Sequence, residues 1–226
     1  MNENGFFRFV NRFNSIALML LLIAGLGTFT YVNLLSNEWE NKRAVKIDNN
    51  AEESVELILG SIEGVAGTDS SYVSLRERDS GTSFSSGGAY GALRNVLFVK
   101  GQDINSTWLL TSNKYLIDQM HALKVGGYSS KEPVMAFLYS IVYKDTNHNS
   151  KFDKNDKLAI SLSKPDGTGL KTLLSDIDSL IDYKVSEDGA EISLMYQVNE
   201  SVFIEKISVA DFSSIAKKQL LQVTKA

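Results

Sequence analysis

Cysteine is missing altogether from this 226-residue chain, and only two prolines and two histidines occur. Without cysteine there is no disulfide and no acylated N-terminal cysteine, so the fold rests on its own core. Thiol nucleophiles and thiolate zinc sites are excluded as well. His121 and His148 are too few for the usual histidine-rich metal or triad chemistry, and no HExxH, GxSxG or GxxxxGK[ST] pattern is present. Basic charge is not in excess either: 23 Lys and Arg stand against 27 Asp and Glu, a net charge of −4. A nucleic-acid partner would need a basic face, so it is excluded on that ground.

Charge is also absent between Arg12 and Glu38. The stretch 15–35 within that gap is long enough, at 1.5 Å per helical residue, to cross the roughly 30 Å hydrocarbon core. Tyr31 and Trp39 sit where interfacial aromatics anchor a span. A cleaved signal peptide is the rival reading, with Ile16–Ala24 as its apolar region and a cut near Gly25-Leu26-Gly27. The uncharged run continues past that point through Leu35, which favours an uncleaved anchor. Arg8 and Arg12 flank the short tail, while Lys42, Arg43 and Lys46 lie beyond Glu38 and Glu40 on the other side. The count alone does not orient the span, but a short N-terminal tail with arginine beside it ordinarily stays inside. The expectation is a single-pass protein of the inner (cytoplasmic) membrane with its large domain on the periplasmic side. Its divisions are a tail over 1–14, the anchor over 15–35, a polar linker or frayed helix over 36–53, and a globular domain over 54–226.

The globular part carries enough apolar residues to bury a core and is punctuated by turn residues. Val55–Leu59 opens it, and Gly60, Gly64 and Gly67 read as turns. Tyr72–Leu75 reads as a short strand, and Ser80–Gly91 as a solvated Gly/Ser loop. Asn95–Val99, Thr107–Leu110, Pro133–Tyr143, Leu158–Leu162, Gly189–Tyr196 and Ser201–Val209 are rich in β-branched and aromatic residues, and each is bounded by turn formers. Tyr115–Leu123 fits a short helix or a strand. Asp211–Val223 has Phe212, Ile215, Ala216, Leu220 and Val223 at helical spacing behind a possible Asp211 cap, which predicts a helix. Trp108 is expected in the core. The fold class is mainly β: an N-terminal transmembrane helix, then an antiparallel meander with one or two small helices.

Within 157–198 the turns Pro165-Asp166-Gly167 and Ser186-Glu187-Asp188-Gly189 precede alternating apolar segments. Asp-Gly supplies the positive φ of a tight hairpin. The stretch resembles the WD40-like repeat of the TolB type, which implies propeller-blade-like meanders. A closed propeller is not implied, since too few units are present. The whole pattern is also similar to uncharacterised single-span bacterial envelope proteins, a likeness that carries no activity.

One loop has the spacing of a cation site. Asp145, Asn147, Asn149, Asp153 and Asp156 occupy positions 1, 3, 5, 9 and 12, and Lys151 offers its carbonyl at position 7. Oxygen donors so placed converge on one hard cation, and Phe152 stands at the apolar position 8. The loop resembles those of EF-hands and dockerins, which implies calcium. It departs from them in Ser150, where a glycine makes the turn, and in Asp156, where a bidentate Glu is usual. The expected affinity is weak, about 10⁻⁴ to 10⁻³ M. A polar connection whose Asp and Asn merely favour turns is the alternative, and His148 reads as a solvated turn residue.

Candidate catalytic residues are scarce. Ser161-x-x-Lys164 and Ser214-x-x-Lys217 match a serine–lysine spacing without its accompanying elements. Asp176, Asp178 and Asp182 supply carboxylates for a hydrolase only if two of them converge. The expectation is therefore a non-enzymatic envelope protein whose β-rich domain binds a protein partner or a second copy of itself. A calcium-dependent sensor or ligand-binding module is the alternative, and an unrecognised hydrolase the third reading.

Overall fold

The computed structural model describes residues 5–41, 45–46, 56–78, 90–101 and 104–222. The chain divides into two compact units, 1–42 and 43–226.

The first unit is one helix, α1 (Gly5–Asn41). Its stretch Arg8–Phe29 is 22 residues long and apolar enough to cross a membrane. At the helical rise that is about 33 Å, close to the thickness of a hydrocarbon core. Leu18, Leu21, Ile23 and Phe29 each leave more than half of their surface uncovered, which suits a helix solvated by lipid and not one packed in a core. The helix itself begins ahead of residue 15 and runs through Arg8 and Arg12. The helix also takes in the first residues of the expected linker, as far as Asn41.

Among its described residues the second unit has fourteen strands: β1 (Val45–Lys46), β2 (Leu57–Gly64), β3 (Ser70–Arg78), β4 (Tyr90–Lys100), β5 (Asn105–Trp108), β6 (Leu116–Leu123), β7 (Ala136–Val142), β8 (Lys151–Phe152), β9 (Leu158–Ser163), β10 (Lys171–Ile177), β11 (Ser179–Val185), β12 (Glu191–Val198), β13 (Ser201–Ser208) and β14 (Ser214–Gln222). An eight-stranded sheet has the order β10-β9-β7-β6-β4-β3-β2, with β5 also on β4. A four-stranded sheet runs β11-β12-β13-β14, and β1 pairs with β8. Every pairing is antiparallel, as short turns between sequential strands require. The protein is mainly β, and the described strands form no closed barrel or propeller.

β7 explains the long apolar run in this part of the sequence. Every one of its residues is buried, because it is covered on both faces. Ala136, Leu138 and Val142 join a core shared with the four-stranded sheet, including Ile192, Leu194 and Tyr196. Phe137, Tyr139 and Ile141 point the other way, to Val96, Phe98 and Leu110. The two-residue period of a strand makes that division. Each fully buried side chain of this kind contributes roughly 1.5–3 kcal/mol relative to exposure.

The strand readings at 95–99, 133–143, 158–162, 189–196 and 201–209 coincide with β4, β7, β9, β12 and β13. Others are corrected. Of the helix expected over Asp211–Val223, the described residues 211–222 are not helical: Phe212 closes a turn at φ 54°, with its amide on the Ser208 carbonyl, and β14 then pairs along β13. Strand pairing wins because Ser214 and Lys217 both reach Glu205, and the Lys217 ammonium lies over the Tyr196 and Phe203 rings. Tyr115–Leu123 resolves to strand, and Gly60 and Gly64 lie inside β2 instead of at turns. Trp108 is 43% exposed at the end of a four-residue edge strand, while Leu109 and Leu110 beside it are buried. Of the expected 80–91 loop, Tyr90 and Gly91 begin β4, and 80–89 lie outside the described residues. The stretch 157–198 is split between two sheets, with β9 and β10 in one and β11 and β12 in the other.

Candidate functional site

The eight-stranded sheet parts at one place. β3 and β4 pair along their whole lengths, and so do β6 and β7. Among the described residues β4 and β6, in contrast, share the single pair Leu93–Ile117. A register shift between Ile117 and Gln119 leaves Asp118 as an extra residue, and such a bulge bends the strand and strengthens its twist. Around this junction a groove of about 410 Å³ is lined by residues of β2, β3, β4, β6 and β7, with Tyr128.

The floor of this groove comes from one face of the sheet: Phe137, Leu93, Met120 and Ala122, with Tyr72 beside them. The Tyr72 ring packs edge-on against Phe137 at 5.6 Å. Its hydroxyl donates to Glu63 Oε2 at 2.5 Å. Burial raises the Tyr72 pKa, and the bond to Glu63 raises it further, so the phenol stays protonated and donating. Arg76 forms part of the wall, with Nε to Ser74 Oγ and Nη1 to the Gly91 carbonyl, both at 3.4 Å. Asp118, His121 and the 84%-exposed Tyr128 complete the rim.

His121 lies against the Tyr183 ring of the other sheet at 5.0 Å and meets Gln119 Oε1 at 3.1 Å. Burial lowers its pKa, and nearby Asp118 opposes that only in part, so the imidazole is neutral at pH 7. Behind the seam, Arg94 and Glu77 form a largely buried ion pair at 3.4 Å. Burial lowers the arginine and raises the carboxyl, with each partner offsetting part of the other's shift.

In the oxygen-rich loop the carboxylates are turned to backbone amides. Asp145 at position 1 accepts the Asn149 and Ser150 amides at 3.2 and 2.8 Å. Asn147 Oδ1 accepts the Asn149 amide, and Asn149 Oδ1 the Lys151 amide. Asn149 Nδ2 donates to Asp153 Oδ2, whose other oxygen accepts the Asn155 amide. Asp156, 2% exposed, takes the Thr146 and Asn147 amides and the Thr146 hydroxyl on Oδ1, and the Asp153 amide on Oδ2. Ser150 adopts φ 60° at the position where such loops carry glycine. Lys151 and Phe152, positions 7 and 8, form β8 and pair with Lys46 and Val45. His148 is exposed at φ 59°, a turn residue as expected. Among the described residues no group of three or more His, Asp or Glu side chains is arranged to hold a metal. The six residues thus lie together in one loop, with Asp156 committed to holding that loop closed.

The serine–lysine pairs have structural uses. Ser161 is fully buried and bonded to Thr172, and Ser214 bonds Glu205. Asp178 is engaged by Lys157 and by the Asn199 amide, and Asp182 accepts the Tyr183 amide. Asp178 and Asp182 are thus engaged in positioning bonds. The groove itself was not foreseen from sequence. Its one local signal is an acidic residue, Asp118, interrupting an otherwise alternating strand.

No known family matches the chain, and no curated protein matches it. Among solved structures, a luciferin-regenerating enzyme matches with a TM-score of 0.37 and 11% identity, over 79% of this chain. The chain spans 64% of that protein's length.

Proposed function

We propose that this chain is a membrane-anchored, non-enzymatic envelope protein whose β-rich domain, on the periplasmic side, docks another protein. The observation that carries this reading is the parted seam between β4 and β6. It is an open groove in the middle of a sheet, with an apolar floor and a charged rim. Its titratable groups are engaged in positioning bonds, Glu63 with Tyr72 and His121 with Gln119. Exposed Leu59 and Ile62 on the edge strand β2 supply further apolar surface of the kind that partners cover. Apolar floor plus polar rim is the ordinary anatomy of a protein interface.

The test places a photo-reactive residue at Tyr128 in the full chain and irradiates intact cells. The expected result is a crosslink to one stoichiometric partner that is lost when Met120→Trp fills the groove. Clean monomer after mild detergent extraction under several conditions, with no crosslink, contradicts the reading.

A second reading, a calcium-dependent module, is favoured by Ser150 at φ 60° and by the pairing of positions 7 and 8. Asp145, Asn147, Asn149, Asp153, Asp156 and the Lys151 carbonyl would hold the ion. The cation must then compete with backbone amides for the Asp156 oxygens, consistent with millimolar affinity. A melting temperature that rises in millimolar calcium, and no longer does so after Asp145→Ala, supports it. No rise ends it.

A further inference from the structure

We infer that the face formed by β2, β3, β4 and β5 rests on the bilayer, seating Leu59, Ile62 and Trp108 where headgroups meet acyl chains. This rests on the anchored reading above and names what covers the exposed apolar residues of β2. Residues directly opposite each other on paired strands share a face. The pairs Ile62–Val73, Val73–Leu97 and Leu97–Trp108 therefore make one apolar row across the four strands. Leu59–Leu75–Asn95 lies to one side of that row, and Gly64–Ser71–Val99–Ser106 to the other. None of these residues is charged. The opposite face is already used, since Tyr72 and Phe98 pack there against Phe137. On the uncharged face Val73 is buried and Leu97 half-buried, but both ends stand open. Ile62 is 73% exposed, Leu59 58% and Trp108 43%. Ile104, just before β5, is exposed as well.

Chemistry and chain length select lipid as the occupant. Tryptophan and aliphatic side chains with no charge among them suit the headgroup level of a bilayer. Among the described residues, β2 is the first strand of more than two residues after α1. About 27 residues separate Phe29, where the apolar stretch ends, from Leu57, and the helix continues over the first of them to Asn41. Helical rise and full extension together limit that reach to about 70 Å. So short a tether makes contact with lipid intramolecular, at an effective concentration on the order of millimolar. A few apolar side chains then suffice, whereas a second copy has to be met by diffusion.

The test places the full chain singly in phosphatidylcholine nanodiscs, with Trp39→Phe so that Trp108 is its one tryptophan. Matched discs carry bromine on the acyl chains, which quenches tryptophan on contact. The expected result is at least about a twofold loss of Trp108 emission in the brominated discs, as for a side chain seated at the headgroup–acyl boundary. The loss persists in added salt, since no charge drives it. Ile62→Glu removes it while the chain stays in the disc, and Leu59→Gln weakens it. Both residues are exposed, so these substitutions leave the core intact. Equal emission in the two kinds of disc, a loss that salt abolishes, or shielding of Trp108 only in discs holding two chains each overturns the inference. A chain that enters no disc overturns the anchor with it. A chain held in the disc with Trp108 unquenched upholds the anchor and overturns the bilayer contact alone.

Discussion

Asp156 Oδ1 accepts the backbone amide of Thr146 at 2.7 Å, closing the loop between β7 and β9 from its two ends. Four donors converge on this one buried carboxylate, three of them backbone amides. Hydrogen bonds to a charged group contribute about 1.5–3 kcal/mol, and removing the acceptor strands several part-buried donors. Asp156→Ala is expected to destabilise the domain by about 3 kcal/mol, measured by urea unfolding. Asp156→Asn, which keeps one carbonyl acceptor, is expected to cost less. A loss below about 0.5 kcal/mol for the alanine variant would show that the carboxylate does not organise the loop.

Ser150 stands at φ 60° with its amide on Asp145. A side chain costs about 1 kcal/mol in this left-handed region, and glycine has no such penalty. Ser150→Gly is therefore expected to raise stability by up to about 1 kcal/mol, less the greater freedom of glycine in the unfolded chain. Chemical denaturation of both forms at the same pH checks the sign.

His121 makes stability depend on pH in a defined direction. Its folded pKa lies below the ordinary value near 6.5 because burial disfavours the imidazolium, with Asp118 opposing in part. As pH falls below about 6.5, the unfolded chain takes up the proton before the folded one does, so stability drops until the folded imidazole also protonates. The expected outcome is a melting temperature lower at pH 5 than at pH 7.5, with a smaller difference in His121→Gln. An unchanged difference in the variant would place the pH response elsewhere.

The Pro165-Asp166-Gly167 turn is a packing point as well as a hairpin. Gly167 sits at φ +79°, and a Cβ there would lie 2.2 Å from Phe98 Cδ2. Asp166 holds the turn through the Thr168 amide and hydroxyl and reaches Lys100 Nζ at 2.8 Å. Burial raises its pKa, but the bonds to Lys100 and Thr168 together outweigh that and bring it down to about 2. Gly167→Ala combines a disallowed conformation with a clash into a fully buried ring, and is expected to cost 3 kcal/mol or more. Near-neutral unfolding curves would show that the turn relaxes away from Phe98.

Sequence periodicity gave most strands because alternation and turn chemistry are local. The Asp-Gly turns and the β7 run are examples, though the two-sided burial of β7 depends on a sheet 50 residues further on. Asp211–Val223 misled because its apolar spacing fits a helix equally well, and only β13 makes the strand preferable. Trp108 misled because apolar character does not say which strand ends at an edge. The loop at 145–156 was legible as a unit, but not the commitment of Asp156 to backbone amides. The seam could not be read at all, since it depends on where two strands stop pairing.

The docking role proposed above requires that the apolar helix Arg8–Phe29 hold the β domain at a membrane. Alkaline carbonate extraction of cell membranes containing the full chain, followed by mass measurement of the intact protein, addresses this directly. The predicted result is a chain that stays in the pellet with its N-terminal helix present. Release into the supernatant, or a mature chain beginning near Thr28, would contradict it.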